Sequence, residues 1–164
     1  MCSAANLQGK GVSPGLFSSP KGAGFSIDYE VSRNIRNSYI VLADLYGVVK
    51  GRYDTPGIKA VFLHYNRFAG FESGGTAVDF YFAPGVSMGY VRDSGSEGLY
   101  GISTAVDIAL AGRINFERGF DIEVGFNCEA GLFSRSIDKG VRMSLYRNGL
   151  TQAYYPFVKI SYRF

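Results

Sequence analysis

From about residue 24 to the end, apolar and polar side chains alternate with a period of two in segment after segment, and no stretch sustains a helical period. Gly24 to Arg33 sets Phe25, Ile27, Tyr29 and Val31 against Ser26, Asp28, Glu30 and Ser32, and the polar run Asn34 to Asn37 turns the chain. Ser38 to Lys50 places Tyr39, Val41, Ala43 and Leu45 opposite Asp44 and Tyr46, before a loop from Gly51 to Gly57. Ile58 to Ala69 sets Val61, Leu63 and Tyr65 against Phe62, His64 and Asn66, which gives His64 the polar, inward parity. After Glu72-Ser73-Gly74-Gly75, the run Thr76 to Arg92 puts Val78, Phe80, Phe82, Val86, Met88 and Tyr90 on one face and Asp79, Gly85, Ser87 and Gly89 on the other. The loop Asp93 to Gly98 follows.

The next two segments are the cleanest. Leu99 to Glu117 reads Tyr100, Ile102, Thr104, Val106, Ile108, Leu110, Ile114 and Phe116 on one parity, and Gly101, Ser103, Asp107, Ala109, Ala111 and Arg113 on the other. Arg118-Gly119 turns the chain into Phe120 to Arg135, where Phe120, Ile122, Val124, Phe126, Cys128, Ala130 and Leu132 oppose Asp121, Glu123, Gly125, Asn127 and Glu129. The last segment, Thr151 to Phe164, alternates Tyr154, Val158, Ile160, Tyr162 and Phe164 with Phe157, Lys159, Ser161 and Arg163.

Seven strands are therefore plain, and a closed antiparallel barrel with an even strand count needs an eighth. Val141 to Tyr146 is one candidate, leaving residues 1–21 as a tail. Asn6 to Phe17 is the other, leaving Ile137 to Leu150 as one long loop. The second is preferred, because it alternates short turns with long loops in the manner of outer-membrane barrels.

Alternation alone suits a soluble sandwich as well as a membrane barrel. Strand length and the content of the faces decide. Several segments exceed both the roughly 5 to 6 residues of ordinary strands and the roughly 9 to 11 of a tilted membrane strand. The polar parity gathers Asp28, Glu30, Asp44, Asp79, Asp107, Asp121, Glu123 and Glu129 with Arg113, Arg135, Lys159 and Arg163, among Gly, Ala and Ser. Small and oppositely charged residues suit the filled interior of a narrow barrel. Tyr29, Tyr39, Tyr90, Tyr100 and Tyr162 lie on the apolar parity near strand ends, where a ring bridges hydrocarbon and headgroup. A lipocalin-like can would have to pack Phe80, Phe82, Met88, Phe116, Phe120 and Phe126 inward together, which overfills it.

Composition agrees. The 164 residues carry 22 Gly, 12 Tyr and 13 Phe with no Trp, and only 19% are charged. A net charge of +3 gives nucleic acid no foothold, and neither a GxGxxG nor a Walker loop is present. The longest apolar stretch, Tyr39 to Val49, is broken by Asp44 and is too short for a membrane helix. Met1-Cys2-Ser3-Ala4-Ala5 carries no secretory signal, so an envelope location requires one removed beforehand. Cys2 is either the lipidated first residue of a mature lipoprotein or, more simply, an unpaired tail cysteine. Cys128 reads as a small apolar filler, and the two cysteines form no zinc pattern and no disulfide.

Clustered carboxylates such as Asp107, Asp121 and Glu123 could bind a metal or transfer protons, but pairing with Arg113, Lys159 and Arg163 as a polar plug accounts for them more simply. No cofactor is expected.

The terminal run Tyr154-Tyr155-Pro156-Phe157-Val158-Lys159-Ile160-Ser161-Tyr162-Arg163-Phe164 resembles the last strand of a bacterial outer-membrane protein. In such proteins this strand is read by the barrel assembly machinery, and Ile160, Tyr162 and Phe164 occupy the matching positions. With Gly24 to Val31 and Phe120 to Leu132, the chain is similar to the small outer-membrane β-barrel families of Bacteroidetes and to the OmpA-type transmembrane domain. Some small barrels are lipid A deacylases with a His-Tyr-Ser-Asn motif near the C-terminus. His64-Tyr65-Asn66 comes early, lacks the serine and has inward parity.

The expectation is one domain over residues 1–164, an eight-stranded antiparallel up-and-down transmembrane β-barrel, with 1–21 holding a weak first strand or a periplasmic tail. It sits in the cell outer membrane as a non-enzymatic structural or accessory component, with lipid, the assembly machinery and a larger outer-membrane complex as partners. The alternatives are a lipid-modifying enzyme, a small pore and a soluble ligand-binding barrel.

Overall fold

The computed structural model describes residues 9–19, 22–32, 36–45, 49, 51, 57–92, 100–116, 120–137, 140–145 and 154–163. The strands are β1 (Gly9–Ser19), β2 (Gly22–Ser32), β3 (Arg36–Asp44), β4 (Gly57–Ser73), β5 (Thr76–Arg92), β6 (Tyr100–Asn115), β7 (Phe120–Ile137), β8 (Gly140–Leu145) and β9 (Tyr154–Arg163). All pairings are antiparallel. Consecutive strands from β1 to β7 are neighbours, β7 pairs with β9, and β9 returns to β1, so the sheet closes in a ring with β8 attached to β7 alone.

The registers fix the geometry of that ring. From Lys159 the cross-strand partners run through Gly15, Ser26, Leu42, Lys59, Gly89 and Ser103 to Phe133 on β7, whereas the direct partner of Lys159 on β7 is Glu123. One circuit therefore advances the chain from residue 123 to residue 133, a stagger of ten residues. At about 3.3 Å per residue and about 4.8 Å between strands, this tilts the strands by roughly 40° and gives a radius of roughly 8 Å. Side chains fill a space of that width.

Two connections show local causes. Gly74 and Gly75 join β4 to β5 with φ of 59° and 81°, the positive values that a two-residue type I′ turn demands at both positions. Along the β1–β9 seam, partners are formed at Gly11, Val12, Gly15, Leu16 and Phe17 but not between them. Pro14 has no N–H to give there, and Ser13 Oγ instead donates to Ser161 Oγ at 2.6 Å.

The first strand lies at Gly9–Ser19 rather than at residues 6–17, and residues 6–8 are outside the described ones. The stretch 137–150 is not one loop, since Gly140–Leu145 forms β8. Both candidate strands therefore exist. β9 covers β7 only from Phe120 to Cys128, and the same edge from Leu132 to Ile137 takes its backbone partners from β8. The anticipated turns around 34–35, 93–98 and 118–119 fall outside the described residues.

The parity expected for β4 is inverted. Lys59, Val61, Leu63 and Tyr65 are buried in the interior, while Ile58 is outside and His64 shares its parity. β4 is apolar on both parities, so its own sequence cannot choose a face. The pairings Ile40↔Val61 and Ser38↔Leu63, with Ile40 and Ser38 both interior, choose it instead.

Candidate functional site

Inward-facing side chains form three levels between the end that carries both described termini and the end with the long connections. At the terminal end lies an ionic layer built on β2, β3, β4, β6, β7 and β9. Arg36 opens β3, with its guanidinium 3.9 Å from the Tyr65 ring centroid and 4.9 Å from that of Tyr81. Its Nε lies 2.8 Å from Glu30 Oε2, and its Nη2 pairs with Glu123. Arg113 on β6 donates to Glu30 Oε2 at 2.8 Å and to Asp121 at 2.6 Å. Lys159 on β9 donates to Asp28 Oδ2 at 2.8 Å, and Ser38 Oγ donates to the same carboxylate at 2.6 Å. Tyr65 Oη donates to Glu123 Oε1 at 2.9 Å. Three cations thus tie four carboxylates from across the ring, all nearly removed from solvent.

Above this layer comes an apolar one of Ile40, Leu42, Val61, Leu63, Ala83, Ala109, Ala111 and Phe157. Gly125 makes room for it, since a Cβ there would lie 2.3 Å from Phe157 Cζ. Toward the long connections a second polar level follows, in which Asn127 Nδ2 donates to Asp107 Oδ1 at 2.8 Å and Lys59 pairs with Glu129.

Of the residues anticipated from sequence, Asp28, Glu30, Asp79, Asp107, Arg113, Asp121, Glu123, Glu129 and Lys159 are buried inside. Asp79 sits at the terminal rim, held by Arg67 at 2.5 Å and by Asn115 Nδ2 at 2.9 Å. Asp44 is only half-buried at the end of β3, and the side chain of Arg163 lies outside the described residues. His64 is not interior as expected. It is half-buried on the outer parity, with Nδ1 2.8 Å from Asn37 Oδ1, because of the β4 inversion. Ile160 and Tyr162 are exposed on the outside, and Phe164 is outside the described residues.

Sequence reasoning missed Arg36, Lys59 and Tyr65. Arg36 belongs to the polar run Asn34 to Asn37 whose composition suits a turn, and the other two follow the inverted parity. A chargeable residue at the first strand position of β3, paired with Ser32 and on the same parity as Ser38 and Ile40, the partners of Glu30 and Asp28, is the signal that points to Arg36.

The interior carboxylates of the ionic layer are each engaged by a cation, a hydroxyl or both, so the layer serves as a cross-brace. Among the described residues, no group of three or more His, Cys, Asp and Glu side chains is placed to hold a metal ion.

The outer surface is the converse. Leu16, Ile27, Val41, Ile58, Phe82, Val86, Met88, Val106, Ile108, Leu110, Val124, Val158 and Ile160 are all exposed. Aromatic pairs stand at its two ends: Phe116 with Phe120 (5.9 Å) on the terminal side and Tyr90 stacked on Tyr100 (5.5 Å) on the other. No helix among the described residues is long and apolar enough to cross a membrane, a test that does not address strands.

No protein-family model, no curated protein and no solved structure matches this chain.

Proposed function

We propose that the ring is a transmembrane β-barrel of a bacterial outer membrane, a non-enzymatic integral protein whose plugged interior makes it a structural or accessory component of an envelope assembly. One observation carries this reading: charge is buried inside, and large apolar side chains are exposed around the outside. In water such an arrangement exposes apolar area far beyond what a soluble monomer tolerates. In lipid it is the stable one, because closure of the ring pairs the strands around its circumference and satisfies their backbone groups internally. On β6 the outer positions Ile102 to Ile114 carry no charge. At about 3.3 Å per residue and a tilt of roughly 40°, they span ~30 Å along the axis, comparable with a lipid core. The aromatic pairs at the two ends match the girdles of such barrels.

The resemblance of the last strand to outer-membrane proteins adds the bacterial outer membrane and its assembly machinery as the setting. The side chains filling the interior imply little or no ion conductance. A stable open channel in planar bilayers would refute the plug, and a folded monomer in detergent-free buffer would refute the membrane reading. Mild-detergent extraction of the native protein, followed by size exclusion, tests the accessory role through a stoichiometric companion.

The outer position of His64 removes one objection to a lipid-modifying enzyme. Three remain: the motif is early in the chain, it lacks its serine, and the ring nitrogen faces the amide oxygen of Asn37 rather than an acid.

A further inference from the structure

We infer that the β4–β5 hairpin, at the end of the ring that carries the termini, is an interfacial membrane anchor that lays an aromatic face on the headgroup boundary of the bilayer. The inference rests on the transmembrane reading above. Among the described residues β4 has β3 partners only up to Tyr65 yet continues to Ser73, so the hairpin stands beyond the described part of β3. Its two faces are made unlike by a single β-bulge. Up to Arg67↔Tyr81 the odd residues of β4 point inward with Leu63 and Tyr65, but beyond the bulge the register shifts to Ala69↔Phe80, Gly70↔Asp79 and Phe71↔Val78. One extra residue reverses the parity of everything after it. Phe71, which would otherwise have pointed inward, joins Phe80 on the outer face, and the bulged Phe68 sits beside them. The Phe68 and Phe71 rings each lie 6.4 Å from that of Phe80, and both residues are more than 60% exposed.

The other face of the hairpin is polar and fastened to the mouth of the ring. Arg67 Nε reaches Asp79 Oδ1 at 2.5 Å, and Asn115 of β6 holds the second carboxylate oxygen. A Cβ on Gly70 would collide with both members of that pair, so glycine leaves the space they use. The hairpin is thus an amphipathic ribbon whose apolar side continues directly into the outer band at Phe82. Rings at the edge of an apolar band, on a segment that extends past it, suit the boundary between acyl chains and headgroups. An aqueous partner protein would not call for that continuity.

The chain contains no Trp, so single-Trp variants report one position each. Phe71→Trp, Phe82→Trp and Glu72→Trp would be folded separately into phosphatidylcholine vesicles brominated either near the headgroup or deep in the acyl chains, with folding verified by circular dichroism. The expected result is strong quenching at positions 82 and 71, with a shallow-to-deep ratio below one at 82 and above one at 71, and weak quenching at 72 on the opposite face. If position 82 is quenched while 71 is as weakly quenched as 72, the hairpin stands in water and the anchor is overturned with the barrel intact. If position 82 is also unquenched, the transmembrane reading itself falls.

Discussion

The two faces of β6 belong to one strand and obey opposite rules. Inward it presents Ser103, Asp107, Ala109, Ala111 and Arg113; outward it presents Ile102, Val106, Ile108, Leu110 and Ile114. The inner face is specific: Arg113 has two identified carboxylate partners on β2 and β7, and exchanging it for another polar residue would break both. The outer face is generic, since any apolar side chain of moderate size would serve. Specificity therefore resides in the charges, and in the membrane setting proposed above affinity for the surroundings resides in the hydrophobes. In a soluble domain the uniquely packed interior is apolar and the interchangeable surface polar.

Four experiments break or sharpen this contrast. The largest effect is expected for Arg36→Ala, which strips Glu30 and Glu123 of a shared cation and leaves buried charge uncompensated, at a cost of about 3–5 kcal/mol in urea unfolding from lipid vesicles. An unchanged midpoint would mean that the ionic layer is hydrated rather than buried. Next comes Ile108→Arg, near the middle of the outer band, which should cost about 2–4 kcal/mol in a bilayer. A neutral or solubilising outcome would place water outside the ring and dissolve the contrast altogether. Gly125→Ala forces a methyl group into the Phe157 ring and within 2.8 Å of the Leu110 carbonyl oxygen, and should cost about 1–3 kcal/mol, only part of it recovered in the double variant with Phe157→Leu because the backbone contact remains. The smallest change is expected for His64→Ala, which loses one hydrogen bond on the outer parity, about 1 kcal/mol or less. Mass spectrometry of cell lipids should find the same acyl chains with and without it, and a dependence on His64 would revive the enzymatic alternative.

How much of this was legible in the sequence depended on whether a strand had two different faces. β5, β6, β7 and β9 have, and their inward residues Asp79, Asp107, Arg113, Asp121, Glu123, Glu129 and Lys159 follow from parity alone. β4 is apolar on both parities, so its orientation comes from pairing with β3, and reading it in isolation turned His64 inward and Tyr65 outward. The same strand hides the bulge beyond Arg67, because a parity reversal leaves no mark in a run such as Arg67-Phe68-Ala69-Gly70-Phe71. β8 was left out for a different reason. It is short, and its role is to satisfy the edge of β7 that β9 does not reach, a need visible only once the registers are known. Which cation meets which carboxylate was equally hidden: Arg36 and Glu123 are 87 residues apart and are neighbours only through the ten-residue stagger of the ring.

The interrupted seam between β1 and β9 gives the molecule a fastening order. Every other joint in the wall links strands nearby in sequence, but this one brings residue 11 to residue 163 and carries the largest loop-closure entropy. It has also lost a backbone rung at Pro14, bridged by the Ser13 and Ser161 hydroxyls. The joint with the longest stretch of chain to close is thus also the most lightly sewn. Under tension or thermal stress the wall should unzip there first.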